Sequence, residues 1–390
     1  MIPVAEALAQ VLALISPTGT EDVPLDAADT RALAAPIVAT RTQPPFAASA
    51  MDGYALRADE APAGANLRVI GEAAAGRAFT GKVGMGEAVR IFTGAPVPDS
   101  ADTILIQEDA DRSGDRITVR EAARPGAHIR PAGGDFFTGA EIPSPRRLSP
   151  RDIALAAAMN CPKLTVRRRP VIALIPTGDE LVMPGEVPGP DQIVSSNNFG
   201  LAALIARAGG QPRLLPIARD TPDSLRAAFA SARDADLIIT LGGASVGDHD
   251  LVQSTAADEG LDLSFYKIAM RPGKPLMAGR LGGTPMLGLP GNPVSAMVCG
   301  TLFIEPAIHA FLGLPAPDRA FTAPLAHALP ANGPREHYMR ARREPDGSVT
   351  VFDCQDSSLL SVLHASDTLA IRPPHAKAAP AGQDIRCLAL

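Results

Sequence analysis

Three observations predict an α/β plus β protein of several domains. Between about residues 169 and 318, apolar runs alternate with helical stretches, which implies a parallel, helix-covered sheet. From about 41 to 137, and again from 319 to 390, short apolar runs sit between Gly, Pro and Asp turns and read as β structure. Within the α/β region, the apolar run Asp236-Leu-Ile-Ile-Thr-Leu241 leads straight into Gly242-Gly243-Ala244-Ser245-Val246-Gly247-Asp248-His249-Asp250. Strand C-termini of open α/β sheets are where phosphate-bearing ligands bind, on backbone N–H groups that glycines can turn outward.

The elements follow in order. Val4, Leu8, Val11, Leu12 and Ile15 form a helical stripe, and residues 1 to about 40 read as two short helices separated by prolines. Strands are expected at Leu67–Gly71, Ala88–Thr93, Thr103–Gln107 and Arg116–Arg120, with Asp111-Arg-Ser-Gly-Asp115 as the hairpin loop joining the last two. The Ala-rich Asp152–Met159 is helical and is expected to pack with the N-terminal helices. The β region is then an insertion, 41–137, in a helical linker domain formed by 1–40 and 138–168. The α/β domain, 169–318, should hold strands Val171–Ile175, 236–241 and Pro285–Leu289. Its helices should be Asn197–Ala208, one opening at Thr221-Pro222-Asp223 with an N-cap and a Pro at N1, one from about 250, and Val294–Phe303. Residues 319–390 form a small C-terminal β domain with strands such as Ser348–Phe352 and Thr368–Arg372.

The 390 residues are enough for several cores, which must be aliphatic, because aromatics make up only 4% and Trp is absent. A net charge of −6 offers no footprint for nucleic acid, so any basic site is local. Cys161, Cys299, Cys354 and Cys387 are too scattered for a disulfide framework or a zinc site and fit reduced thiols in a cytoplasm. The N-terminus has Pro3 and Glu6 and no basic leader, and no uncharged apolar run approaches a membrane span. A soluble, cytoplasmic protein is expected.

Four loops converge if the sheet is parallel. They are Thr177-Gly178-Asp179-Glu180 after the first strand; the glycine-rich turn, with Gly242, Gly243, Ser245, Gly247 and Asp250; Lys267-Ile-Ala-Met-Arg271-Pro272-Gly273-Lys274; and Pro290-Gly291-Asn292-Pro293 leading to Ser295. Each has an ordinary reading as well. Asp250 could be a helix N-cap, Glu180 an exposed turn acid, the three cations a solvated face, and Pro-Gly-Asn-Pro a turn with helix-start chemistry. Together, donors, cations and carboxylates describe a magnesium-assisted phosphate site, because Mg²⁺ takes oxygen ligands, commonly one or two carboxylates plus substrate phosphate. The chain has neither the P-loop nor the dinucleotide-fold glycine pattern, and no serine-hydrolase elbow or zincin helix.

These segments, taken in order, resemble the molybdopterin molybdenumtransferases, the MoeA family, which is similar to the E domain of gephyrin. The resemblance runs almost end to end, through Ser49-Ala-Met-Asp-Gly-Tyr54, Thr93-Gly-Ala-Pro96, Arg130-x-x-Gly-x-Asp135, Pro176-Thr-Gly-Asp-Glu-Leu181, Gly242-Gly-x-Ser-Val-Gly247, Pro272-Gly-Lys-Pro275 and Leu289-Pro-Gly-Asn-Pro-Val-Ser295. It implies an elongated homodimer with a molybdopterin-binding parallel-sheet domain, which uses Mg²⁺ and molybdate to cleave adenylylated molybdopterin and releases AMP. A molybdopterin adenylyltransferase is the implied partner enzyme. By motif, Asp52, Thr93 and Asp135 would face the cleft from the second subunit. Glu180, Asp220 and Asp250 would supply carboxylates and hold the metal, while Asp220-Thr221-Pro222 also reads as a helix start. Thr177, Gly178, Asp179, Gly242, Gly243, Ser245, Gly247, Lys267, Arg271, Pro272, Gly273, Lys274, Pro290, Gly291, Asn292 and Ser295 would bind substrate. Arg271 stands where the family often has lysine, and Gln355-Asp356-Ser357-Ser358 fits the family's Gly/Ser loop only loosely. The alternatives are a scaffold without catalysis, or an adenylyltransferase-like protein built on the same α/β module. The grouped acids argue against the first, and the β insertion with its Met-Asp-Gly-Tyr segment argues against the second.

Overall fold

The computed structural model describes residues 1–243 and 251–390. The central sheet has the strand order Gln211–Leu214, Val171–Pro176, Leu237–Leu241, Thr284–Leu289, Met277–Leu281, Leu261–Tyr266. The first four strands are parallel, as alternation with helices predicts. The sheet is nevertheless mixed, because Met277–Leu281 turns tightly into Thr284–Leu289 and runs against both of its neighbours. A two-residue link can join only antiparallel strands, so the spacing there excludes a parallel crossover.

The central strands are buried on both faces, which explains their continuous Val/Ile/Leu composition. One face carries Ile172, Leu174, Leu237 and Ile239, packed with Leu201 and Ile205 of the helix Asn197–Ala208 and with Phe303 and Ile308. The other face carries Ala173, Ile175 and Ile238 against Leu225 and Phe229 of the helix Pro222–Ala232. The helix expected at 294–303 continues to Phe311. A π turn at Gly300–Ile304 carries the chain past Pro306, which has no N–H to give a regular ladder. A Cβ at Gly300 would lie 2.5 Å from Leu201 Cδ2, so glycine sets how closely the two helices approach. By length and composition this helix could cross a membrane, but 72% of its most apolar window is buried inside the protein.

The N-terminal region differs from expectation. Its first helix, Val4–Ala13, buries Val4, Ala7 and Val11 in the core of the α/β domain. Ala269 N–H donates to Ile2 O (2.8 Å) and the Arg280 guanidinium to Leu14 O (2.7 Å), which holds the helix there. The second helix expected before residue 40 is only a 3₁₀ turn, Leu25–Ala27, between strands Thr20–Pro24, Ala32–Leu33 and Ile37–Val38. These strands pair with Lys163–Arg167, Arg146–Arg147 and Glu141–Ile142. The linker domain is therefore mainly β, and the helix Pro150–Ala158 packs on its strands rather than on the N-terminal helix. Prolines at 17, 24 and 36 break helical runs in this stretch and leave extended segments that close on partners more than a hundred residues away.

The insertion holds a six-stranded sheet, order Thr103–Ile106, Gly53–Leu56, Glu87–Ile91, Asn66–Ala73, Arg116–Val119, Ala110–Ser113. The expected hairpin loop 111–115 is mostly strand. Ala110–Ser113 pairs with Arg116–Val119, and the turn narrows to Gly114 (φ +60°) and Asp115. The insertion cores lie between Tyr54 and Ile129, while the α/β cores draw on no residue between Ala32 and Val171. The C-terminal domain pairs Glu336–Arg343 with Thr368–Arg372, Asp384–Ala389 with both Thr368–Arg372 and Ala320–Pro324, and Val349–Val351 with Glu336–Arg343. Its edge strand is borrowed, since Met270–Arg271 of the α/β domain pairs with Glu336 and His337.

Candidate functional site

The four loops meet at one edge of the central sheet, although one arrives by an unexpected route. Thr177, Gly242 and Pro290 each follow a parallel strand. The loop 267–276 reaches the same edge because Met277, where the antiparallel strand begins, pairs with Gly288 near the end of its neighbour. Thr177 N–H and Oγ1 donate to Leu241 O at 3.0 and 3.3 Å, and Gly242 N–H donates to Leu289 O at 3.1 Å. These bonds tie the first loop to the second, and the second to the fourth. Gly242 and Gly243 have φ of +105° and +66°. A Cβ on Gly242 would lie 2.7 Å from Thr177 O, and one on Gly243 would lie 2.1 Å from Val252 Cγ2, so both positions need glycine. Ser245, Gly247 and Asp250 lie outside the described residues.

The first loop carries the acids. Gly178 (φ +143°) has no Cβ where one would lie 2.3 Å from a Glu180 carboxylate oxygen, so that side chain can fold back over it. Asp179 and Glu180 are exposed. Asp179 Oδ1 accepts from Asp220 N–H at 3.2 Å, which sets the two acid loops side by side. Asp220 is not the helix cap. Thr221 fills that role, its Oγ1 accepting from Ser224 N–H at 3.3 Å, which leaves the Asp220 carboxylate outside the capping bonds. Among the described residues, no group of three or more Asp, Glu, His or Cys has metal-holding geometry. The donors that the two loops offer are all oxygens, carboxylates and carbonyls, which suits a hard divalent cation and not a soft one.

The cationic loop is folded tightly: Lys267 N–H donates to Leu276 O (2.9 Å) and Ile268 N–H to Lys274 O (3.0 Å). Lys267 adopts φ +74°, unusual for a side-chain-bearing residue, and its ammonium lies 4.7 Å from the Tyr266 ring centroid. Arg271, Pro272, Gly273 and Lys274 line a cavity of ≈ 320 Å³ together with Asn292 and Ser295. The C-terminal domain closes that cavity with Arg335, Gln355, Asp356 and Ser357. Asn292 Nδ2 donates to Ser357 Oγ at 2.7 Å, and Val294 N–H donates to Ser357 O at 3.0 Å, which docks the two domains on each other. Among the described residues, Arg271, Lys274 and Arg335 form no ion pair, and three cations against the one carboxylate of Asp356 leave the cavity walls net positive.

Of the C-terminal wall, the sequence pointed only to the loop 355–358, as a loose match to the family's Gly/Ser loop; Arg335, His337 and Arg340 were missed. Arg340, 1% exposed, donates from Nε to Gln355 Oε1 (3.1 Å) and from Nη1 to Asp356 O (2.6 Å), which shapes the loop bearing Ser357. His337, buried beside it, is pushed down to about 4 by burial and then by Arg271, Arg340 and Arg335. The strand Glu336–Arg343 (EHYMRARR) buries His337 and Arg340 although it is mostly charged and polar. That polar pattern is the signal the sequence carried for the strand behind the loop 355–358.

In the insertion, Asp52 and Thr93 are brought together: Thr93 N–H and Oγ1 each donate to Asp52 Oδ1 at 2.8 Å. Those two bonds, the backbone one first, hold the Asp52 carboxyl below its usual range. Asp135 lies in the loop after Ile129–Arg130, exposed, with its N–H donating to Gln43 O at 3.1 Å. Arg130 pairs with Ala48 in the short strand just before Asp52, so the loop starts close to that pair. All three acids and hydroxyls stand on a domain whose core is separate from that of the α/β loops.

A glycine turn, two acid loops and a cationic loop gathered at one edge of a mixed α/β sheet, with Arg335 added from the C-terminal domain, define an α/β protein whose sheet edge suits an anionic ligand. Family models match nearly the whole chain. The MoeA N-terminal region (domain I and II) covers residues 2–160, the probable molybdopterin binding domain covers 173–310, and the MoeA C-terminal region (domain IV) covers 322–390. The chain is 37% identical to the molybdopterin molybdenumtransferase of a Nostoc species over 338 residues, which are 84% of this chain and 78% of that protein. It is 30% identical to the Bacillus subtilis molybdopterin molybdenumtransferase over 402 residues, 99% of this chain and 94% of the relative. A crystal structure of a molybdopterin biosynthesis MoeA protein from Pyrococcus horikoshii superposes over 100% of this chain and 99% of that one, with TM-score 0.87 at 30% identity. The chain belongs to the molybdopterin molybdenumtransferase family, transferases of molybdenum cofactor biosynthesis.

Proposed function

We propose that this chain inserts molybdate into adenylylated molybdopterin with release of AMP, as a Mg²⁺-dependent, cytoplasmic homodimer supplied by a molybdopterin adenylyltransferase. The observation that carries the reading is the convergence on one sheet edge of two acid loops, a glycine turn and a cationic cavity. Glu180, Asp220 and Asp250 would hold Mg²⁺, for which their oxygen-only donor set is suited. When bound, the ion supplies charge neutralisation at a phosphoanhydride.

The chain's own groups have separable tasks. Gly242 N–H is spent on Leu289 O, so what the turn Gly242-Gly243 offers a phosphate at the sheet edge is close approach of a backbone without Cβ atoms. Arg271 and Lys274 hold a second oxyanion in the cavity, with Asn292 and Ser295 donating hydrogen bonds to it. Molybdate is itself a tetrahedral oxyanion, so the same positive walls suit it. The separate core of the insertion supports a site completed across a dimer, with Asp52, Thr93 and Asp135 supplied by the second subunit.

The test is AMP release from purified protein given adenylylated molybdopterin, Mg²⁺ and molybdate. Glu180→Gln should lower turnover by about 10²-fold or more, since it removes a charge the cation needs. The fold should not suffer, because the side chain is exposed. Unchanged turnover in that variant would defeat the assignment.

A further inference from the structure

The acid loop Thr177–Leu181 carries a feature that neither the charge census nor the substrate contacts require. Its carbonyls point two ways. Glu180 O accepts from Ile193 N–H at 2.7 Å, whereas Gly178 O, Asp179 O and Leu181 O all accept from one atom, Arg219 Nη1, at 3.3, 3.1 and 3.1 Å. Arg219 is itself held by the cap of the helix Pro222–Ala232. Its N–H donates to Ser224 Oγ at 2.9 Å, and its carbonyl accepts from Thr221 N–H at 2.7 Å. Just before it, Gly178 N–H donates to Ala218 O at 3.1 Å and Ala218 N–H to Pro176 O at 2.9 Å. A chain of fixed contacts thus runs from a helix N-terminus, through Arg219, to the backbone on either side of Glu180. Asp220 is the next residue along.

We propose that Arg219 is a positioning residue: a point cation that registers the Glu180 loop against Asp220, so that the two carboxylates present one divalent-cation site. This rests on the reading that Glu180 and Asp220 hold the metal. Two features separate positioning from mere stability. Arg219 is exposed, so the carbonyls it leaves behind can turn to water, and the fold loses little without it. Among the described residues, Arg219 is the one side chain that holds the Gly178, Asp179 and Leu181 carbonyls, so the backbone on both sides of Glu180 loses that hold on the Asp220 loop when the guanidinium goes. Because one nitrogen makes all three bonds, the planar fork of arginine is not what the site uses. An ammonium with three N–H donors satisfies the same three carbonyls.

The experiment uses the full-length protein, with Mn²⁺ as a spin-active substitute for Mg²⁺, titrated by electron paramagnetic resonance without substrate. Amide hydrogen exchange at Gly178 and Ile193 reports the loop, and exchange at Ile172 and Leu237 in the sheet reports the fold. Arg219→Met should weaken Mn²⁺ binding about tenfold or more, the effect of losing an outer-shell partner of a metal ligand. It should speed exchange at Gly178 and Ile193 and leave Ile172 and Leu237 protected. Arg219→Lys should stay within about threefold of wild type in both readouts. Wild-type Mn²⁺ binding in Arg219→Met, or an Arg219→Lys variant as weak as Arg219→Met, overturns the proposal. Glu180→Gln separates the layers. If it binds Mn²⁺ as wild type does, the metal assignment beneath the proposal fails whatever Arg219 does.

Discussion

Replacing Gly242 by alanine probes the sheet-edge geometry directly, and the protein contains its own control. Gly242 and Gly64 both have positive φ, +105° and +87°. Around Gly64 a Cβ would meet nothing within 4 Å, so Gly64→Ala carries only the conformational penalty, about 1–3 kcal/mol. At Gly242 the same methyl would lie 2.7 Å from Thr177 O, a backbone atom at the point where Thr177 is bonded to Leu241. Moving that carbonyl strains the junction of the two central strands and adds about 1–3 kcal/mol of overpacking. A chain of several domains does not unfold in one step, so the readout is native-state amide exchange. It should be read on Leu237–Leu241 for one variant and, for the other, on Asn66–Ala73 and Arg116–Val119, since Gly64 N–H donates to Val119 O. Gly242→Ala should lose at least about 1 kcal/mol more local stability than Gly64→Ala. It should also abolish AMP release, which Gly64→Ala retains. Equal losses in the two variants, or wild-type turnover with Gly242→Ala, would refute the claim that backbone crowding forces glycine at this turn.

Three further outcomes are expected. A mixture of Asp52→Ala and Glu180→Ala subunits should regain part of the activity that each lacks alone, and a mixture as dead as its components would rule out sites shared between subunits. Asn292→Ala breaks the 2.7 Å bond to Ser357 and should raise KM for the substrate about three- to tenfold, the worth of one hydrogen bond, with kcat nearly kept. An unchanged KM would mean that the docked C-terminal loop does not shape the cavity. His337 has a folded-state pKa of about 4, below its unfolded value, so its stabilising contribution is complete above pH 6.5. As pH falls from 6.5 toward 4 the unfolded chain takes up the proton first, and on the order of 2–3 kcal/mol is lost. His337→Gln should flatten that part of the stability profile relative to wild type, and a parallel profile would place the acid sensitivity elsewhere.

How much of the site was legible depended on whether the chemistry was local. The helix Asn197–Ala208 and the opening of the helix at Pro222 were readable because caps and apolar spacing act within a few residues. Thr177, Gly242 and Pro290 were readable as neighbours because parallel strands end at one edge. Lys267 through Lys274 reaches that edge by a different route from the one parallel strands imply, since it precedes an antiparallel strand whose first residue, Met277, pairs with Gly288. The N-terminal helix was recognised, but its packing partner was not, because an apolar stripe states that a face will be covered and not by what.

From composition and order alone came the α/β module, the inserted and appended β regions, the grouped acids and cations, and the family resemblance. These are properties of local pattern, and local pattern survives without coordinates. Folding alone decided which surfaces close the cavity. Ser357 meets Asn292 across 65 residues, Met270–Arg271 becomes an edge strand of another domain, and Arg219 reaches back some forty residues to grip the acid loop. Each of these contacts joins segments whose own preferences are satisfied equally well apart. What brings them together is the burial of the cores on either side of them, a cooperative quantity that no short window of sequence contains.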